Sequence, residues 1–271
     1  MRGLEALTTG FTPTPAQSVV KLGKSQRDFF SIARVLRAAG YDTSFIYGGE
    51  AQFDFTTTNH SPWEYPEGRI EPYDADPHTV NNAVKYADHA LGDFMAKARA
   101  SAYWDDTVFL VVADHNSRVL GAELVPVWRF HIPALILGGG IAPGVYSPVA
   151  SQIDLPPTLL SLIGVSSEHP MIGHDLTRSE FADWPGRAIM QYEDRQAYML
   201  GREIAILRKG LPPATFVYDG GTSLDATVAQ PELAATAIAY ATWTSSTYEH
   251  LQYRLPEPPT PLRERLTALA R

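Results

Sequence analysis

Apolar positions along this chain repeat at two different periods, and the change of period divides it. Arg2 to Leu7 reads as a helix that Thr8-Thr9-Gly10 ends, and Pro13 and Pro15 then impose irregular backbone. Phe29, Ile32, Ala33 and Leu36 follow helical spacing and predict a helix over 28–39. Ser25 is its candidate cap and Gly40 its terminator. Thr43 to Tyr47 predicts a short strand, with Gly48-Gly49 as the turn. Val80, Ala83, Val84, Ala87, Leu91, Phe94 and Met95 make one apolar face of a helix over 79–100. Residues 107–113 are continuously apolar, the pattern of a central parallel strand covered on both faces. Ile132 to Leu137 predicts a second buried strand before Gly138-Gly139-Gly140. Asp154 to Ile163 predicts a helix with Pro156 and Pro157 near its first turn and Gly164 at its end.

After Asp175 the pattern changes. Residues 188–191, 197–200, 204–207 and 215–218 read as short strands with tight turns, an antiparallel hairpin region. Pro231 to Tyr253 reads as a helix packing back on the body, and Leu255 to Arg271 as a proline-rich tail. The fold class is therefore α/β with a small C-terminal β subregion. The divisions are a body over 1–175, a hairpin-and-helix region over 176–255, and a tail over 256–271. In open α/β sheets, ligands gather at the carboxyl ends of the strands, which directs attention to Asp114 and His115.

Composition narrows the chemistry. The 271 residues are 45% hydrophobic and 19% charged, the balance of a globular protein. Net charge is -8 and no basic run occurs, which argues against nucleic-acid binding. Cysteine is absent, so disulfides, thiolate zinc sites and cysteine nucleophiles are excluded within this chain. A formylglycine made from cysteine is excluded with them. No apolar run reaches the ~18 residues of a membrane span, and the first residues lack the apolar stretch of a signal peptide.

Asp114-His115 directly follows the apolar strand. A carboxylate and an imidazole there suit a divalent cation such as Mn²⁺ or Zn²⁺. The alternative is an Asp capping a helix beside a surface His. His60, in Thr57-Thr58-Asn59-His60, either contacts substrate oxygen or satisfies a turn. His131 stands just before the second strand, and Asp154 reads as a helix N-cap. Tyr47-Gly48-Gly49 is a possible pocket lining. His78, His89, His169, His174 and His250 read as surface or structural. No GxGxxG, GxxxxGK[ST] or GxSxG motif occurs.

Several segments together resemble a known family. They are Arg2-Gly3-Leu4-Glu5-Ala6-Leu7, the stretch 31–54 with Phe45-Ile46-Tyr47-Gly48-Gly49, Thr58-Asn59-His60-Ser61-Pro62 and Val84-Lys85-Tyr86-Ala87-Asp88. Val111-Val112-Ala113-Asp114-His115, His131-Ile132-Pro133, and Ser151-Gln152-Ile153-Asp154 with Pro157-Thr158-Leu159-Leu160 complete the set. In this order they resemble the lipoteichoic acid synthase-like branch of the sulfatase and phosphoglycerol transferase families.

The resemblance implies an alkaline-phosphatase-like fold: a central, mostly parallel sheet flanked by helices, here incomplete. It implies an enzyme that moves phosphoglycerol from a lipid phosphodiester donor to a glycolipid or glycan acceptor. A divalent metal, most often Mn²⁺, is held by a Glu, a Thr and an Asp-His pair, to which Asp114 and His115 correspond. His60 corresponds to a substrate-binding His, and Tyr47 stands where some members carry another. The implied chemistry has two steps: a metal-activated Thr attacks phosphorus, and the acceptor displaces the phospho-Thr. The family is membrane-anchored with its catalytic domain outside the cytoplasm, so the anchor is expected outside this chain.

This sequence departs from the family in two ways. The nucleophilic Thr and the Glu ligand are expected upstream of Met1, because Thr8 and Thr9 fall at the wrong end of the first helix for a phosphoryl anion. The segments at Phe53-Asp54 and Thr58-Asn59-His60 are almost adjacent, where members carry several dozen residues between them. The isolated chain is therefore expected to turn over poorly. The alternatives are a sulfatase or phosphodiesterase that hydrolyses its ester, and a non-catalytic remnant.

Overall fold

The structure, a computed structural model, describes residues 2–14, 17–46, 59–116 and 121–255. Its contacts gather the chain into two units. The first contains residues 1–41, 110–135 and 143–271, and the second residues 42–109 and 136–142.

The first unit begins with helix α1 (Arg2–Thr9), which Gly10 closes at φ +63°. Glu5 is buried in this helix, and its carboxylate accepts hydrogen bonds from the Ser18 hydroxyl and the Val20 amide. Helix α2 spans only Ile32–Ala38, with Ser31 before it, not 28–39. Two observations explain the late start. Asp28 sits at φ +57°, outside the helical region, and the Ser25 hydroxyl is engaged with the carbonyls of Val19 and Leu22. Phe30 is fully buried and its amide bonds the Tyr253 carbonyl at 3.1 Å, so this stretch is held extended.

Helix α4 (Leu155–Leu162) follows a 3₁₀ turn over Gln152–Asp154 and carries its prolines at the first turn, where no amide is needed. Beyond it, strands β3 (Arg187–Tyr192), β4 (Arg195–Leu200), β5 (Glu203–Leu207), β6 (Ala214–Tyr218) and β7 (Leu224–Ala226) form an antiparallel meander. The register places Ala197 opposite both Met190 and Ile206, and Tyr198 opposite both Ile189 and Ala205. Alternate residues therefore go to opposite faces. Met190, Ala197, Met199, Ile204, Ile206 and Phe216 pack on one face with Val125 and Val127. Tyr198 and Ala205 pack on the other against Leu233 and Ala237 of helix α5 (Pro231–Glu249). α5 ends four residues before the predicted Tyr253, and that tyrosine instead stacks on Phe29 at 4.4 Å.

One buried ion pair ties α4 to the meander. Asp154 and Arg187 are both 0% exposed, joined at 2.9 and 3.1 Å. The Asp154 carboxylate also accepts from the Ser151 amide at 2.8 Å and the His174 amide at 2.7 Å. Asp154 stands at the N-cap position of α4, and its carboxylate is also the third member of a capping box whose cap is Ser151.

The second unit contains helix α3 (Val80–Arg99), capped by the Thr79 hydroxyl accepting from the Asn82 amide. Its anchor is polar. Buried Asn82 binds the amides of Tyr73 and Asp74 and the carbonyls of Asp74 and Asp76. The predicted apolar face is not enclosed: Val80, Val84, Leu91 and Phe94 are all exposed. Phe94 does meet Phe109 edge-on, and Phe109 stacks on Trp104.

Strands β1 (Val108–Val112) and β2 (Ala134–Gly138) form a two-stranded sheet. Both were expected to be buried. β1 is half-buried throughout, and β2 begins exposed, with Leu135 57% accessible. Among the described residues these strands have no third partner in their sheet, so no central position exists for them. The predicted strand at 43–47 is also absent over its described residues. Residues 43–46 form no ladder, and Phe45 and Ile46 are exposed. The tail from residue 256 lies outside the described residues.

Candidate metal centre

Asp114 and His115 sit immediately after β1, where the continuous apolar run ends. Asp114 Oδ2 and His115 Nε2 are 3.6 Å apart, with side chains 44% and 70% exposed. The His115 Nδ1 lies 2.7 Å from the Asn116 carbonyl. A carbonyl only accepts, so Nδ1 carries the proton there, and in the neutral ring Nε2 keeps its lone pair. A lone pair and a carboxylate oxygen are thus held side by side, a pairing that either a proton or a cation satisfies. Two donors each ~2.1 Å from one tetrahedral ion would lie ~3.4 Å apart, close to the spacing seen.

Two elements meet the backbone that carries the pair. Gln152 Nε2 donates to the Ala113 carbonyl at 2.8 Å and to the Asp114 carbonyl at 2.9 Å. The first turn of α1 lies against the same peptide. A Cβ on Gly3 would stand 1.8 Å from the Asp114 carbonyl oxygen, so this approach demands glycine. The sequence reading passed over both residues as chemistry. The sequence places Gln152 only just before a helix, within the Ser151-to-Asp154 segment.

His60 lies in the second unit. It is exposed, its Nδ1 is 2.9 Å from the Ser61 carbonyl, and its own carbonyl accepts from the Trp63 amide across the cis Ser61–Pro62 bond. His131 is exposed at the end of a 3₁₀ turn over Val127–Phe130. Tyr47 lies outside the described residues, as does Thr57-Thr58. Thr8 and Thr9 donate their hydroxyls to the Leu4 and Glu5 carbonyls one turn back, which occupies both in closing α1. The buried side of the first unit holds His174, stacked on Phe181 at 4.5 Å, with its Nδ1 lacking a hydrogen bond. Burial, reinforced by the Arg187 charge, holds the His174 pKa below the usual histidine value.

Residues 55–165 match the family model described as Sulfatase. A crystal structure of a protein in the alkaline phosphatase superfamily from Vibrio parahaemolyticus is 41% identical. It superposes with a TM-score of 0.89 over 94% of this chain and 76% of that one. The chain belongs to the alkaline phosphatase superfamily. Within the superfamily, parts of it are similar to lipoteichoic acid synthases and to a sulfatase. It is 26% identical over 147 residues to lipoteichoic acid synthase 1 of Bacillus subtilis (strain 168), and 31% identical over 90 residues to choline-sulfatase of Rhizobium meliloti (strain 1021). Those matches cover 47% and 31% of this chain but only 23% and 18% of the two relatives. The lipoteichoic acid synthase LtaP from Listeria monocytogenes, at 17% identity, shares the fold, with a TM-score of 0.73 over 92% of this chain and 79% of LtaP.

The superfamily is one of enzymes, generally dependent on a divalent metal. Asp114 and His115 fit such an ion in donor type and spacing. Among the described residues no group of three or more His, Cys, Asp or Glu comes together. No helix among the described residues is long and apolar enough to cross a membrane.

Proposed function

We propose that this chain carries part of the centre of a metal-dependent phosphoryl transferase, one that moves phosphoglycerol from a lipid-linked phosphodiester to a glycolipid or glycan acceptor. The observation that supports it most is the Asp114–His115 pair, with two acceptor atoms 3.6 Å apart at the end of β1 and the first turn of α1 packed against its backbone. In this reading Asp114 and His115 hold the metal, most often Mn²⁺. When bound, the ion polarises a phosphoryl oxygen and lowers the pKa of an attacking hydroxyl. The hydrogen bond from His115 Nδ1 to the Asn116 carbonyl keeps the ring in the tautomer that offers Nε2. His60 and Tyr47 contact substrate. The nucleophilic Thr and the Glu ligand are not among the described residues, and with two donors alone turnover is low. The donor lipid places this chemistry at a membrane on its extracytoplasmic side.

Paramagnetic Mn²⁺ tests the pair directly, because it broadens NMR signals even when binding is weak. The His115 ring and Asp114 should broaden first, and Asp114→Ala should abolish the selectivity. Broadening that ignores Asp114→Ala would end the metal reading. A second reading, hydrolysis of a sulfate or phosphate ester by water, is favoured by the choline-sulfatase match. Release of glycerol phosphate from phosphatidylglycerol supports transfer, whereas release of sulfate from an aryl sulfate with no action on the lipid supports hydrolysis. Either activity should disappear in Asp114→Ala.

A further inference from the structure

We infer that Gln152 is a positioning residue, which sets the direction of the Asp114 and His115 side chains by clamping the two carbonyls before them. The inference rests on the metal reading of that pair, but its geometry stands apart from it. The clamp is one side-chain amide used twice. Gln152 Nε2 spends both protons on consecutive carbonyls, Ala113 at 2.8 Å and Asp114 at 2.9 Å. Consecutive carbonyls in an extended strand point to opposite sides. One nitrogen can serve both only if the backbone turns between them, so the bond pair fixes the turn by which the chain leaves β1.

Gln152 is itself rigidly placed. It opens the 3₁₀ turn whose ends are Ser151 and Asp154. The Ser151 hydroxyl donates to the Arg187 carbonyl at 3.2 Å and accepts from the Ile189 amide at 3.1 Å, and Asp154 is locked to Arg187. The first strand of the meander is thereby linked through this turn to the peptide that presents Asp114. Gly3 packs closely against the same carbonyl, leaving it little room to relax. Supporting hydrogen bonds of this kind, one step behind a metal ligand, typically matter 10–100-fold to metal affinity.

The sequence alone would assign Gln152 to the start of a helix. Its amide chemistry is what matters, since a carboxylate at this position would repel both carbonyls. Gln152→Ala and Gln152→Glu should both loosen the turn. Gln152→Asn, one methylene shorter, should keep one bond at best and give an intermediate result.

The test uses the full chain, isotope-labelled, and two measurements. Without metal, backbone order parameters at Asp114 and His115 should be near the rigid value of ~0.85 and fall toward ~0.6 in Gln152→Ala, while the meander's spectrum stays unchanged. Unchanged order parameters in the variant would overturn the clamp, whatever the metal does. With Mn²⁺, Gln152→Ala should need roughly 10-fold more ion to broaden His115 equally. If the wild-type pair ignores Mn²⁺, the metal reading fails while the order parameters still judge the clamp. If order falls but Mn²⁺ sensitivity does not, the positioning role is overturned and Gln152 is only structural.

Discussion

Asp154–Arg187 and Asp114–His115 are both acid–base pairs in the first unit, and their surroundings are opposite. Asp154 and Arg187 are completely buried, with four hydrogen bonds closing on the carboxylate and guanidinium besides their own pairing, with Tyr240, Ile172, Ser151 and His174 as partners. Asp114 and His115 are 44% and 70% exposed at 3.6 Å, too long for a good hydrogen bond. The first pair has no lone pair to offer a ligand. The second has a lone pair and a carboxylate oxygen turned to the outside. A charge that folding has buried and fully bonded is structural, and one held at the surface is available for chemistry.

Breaking the closed pair should have the largest effect. Arg187→Ala strands a buried carboxylate and should cost about 3–5 kcal/mol, read from urea unfolding. Asp154→Leu combined with Arg187→Met should recover part of that loss, because no uncompensated charge then stays buried. If Arg187→Ala were tolerated within experimental error, the contrast between the pairs would collapse. Gly3→Ala comes next. Its Cβ would meet the Asp114 carbonyl oxygen at 1.8 Å, and the overpacking should cost about 1–3 kcal/mol with chemical-shift changes centred on Asp114.

A smaller effect follows pH. Burial keeps the His174 pKa below its unfolded value of ~6.5, so protonation favours the unfolded chain. The stabilisation is complete above that value and is lost as pH falls below it. Thermal midpoints at neutral and mildly acidic pH should therefore fall less in His174→Phe than in wild type. His169, also held down by burial, keeps part of the slope. A slope identical in the variant would remove His174 from the account. Asp114→Asn should have the smallest effect on stability, within about 0.5 kcal/mol, yet should abolish selective Mn²⁺ broadening at His115. A large loss of stability there would mean that the exposed pair is structural too.

Much of the fold was legible because local signals agreed with their surroundings. The four predicted short strands are β3 to β6, since alternating residues met a covering layer on each face. Helix α3 was legible from its period, but its burial was not. Its anchor is Asn82, a polar residue whose partners lie in the loop at residues 73–76. β1 illustrates the same limit. Val108 to Val112 has the composition of a central strand, yet centrality depends on neighbours that a local pattern does not contain.

The sequence by itself determined that Asp114 and His115 follow an apolar strand, that this chain supplies no cysteine, and that it resembles the sulfatase-like family. Tertiary structure alone decided which acid is a candidate ligand and which is a strut. It also decided that Gln152 and Gly3 both meet the Asp114 peptide. The physical reason is range. Periodicity and capping act over a few residues, whereas burial, charge compensation and close backbone approach depend on segments far apart in sequence.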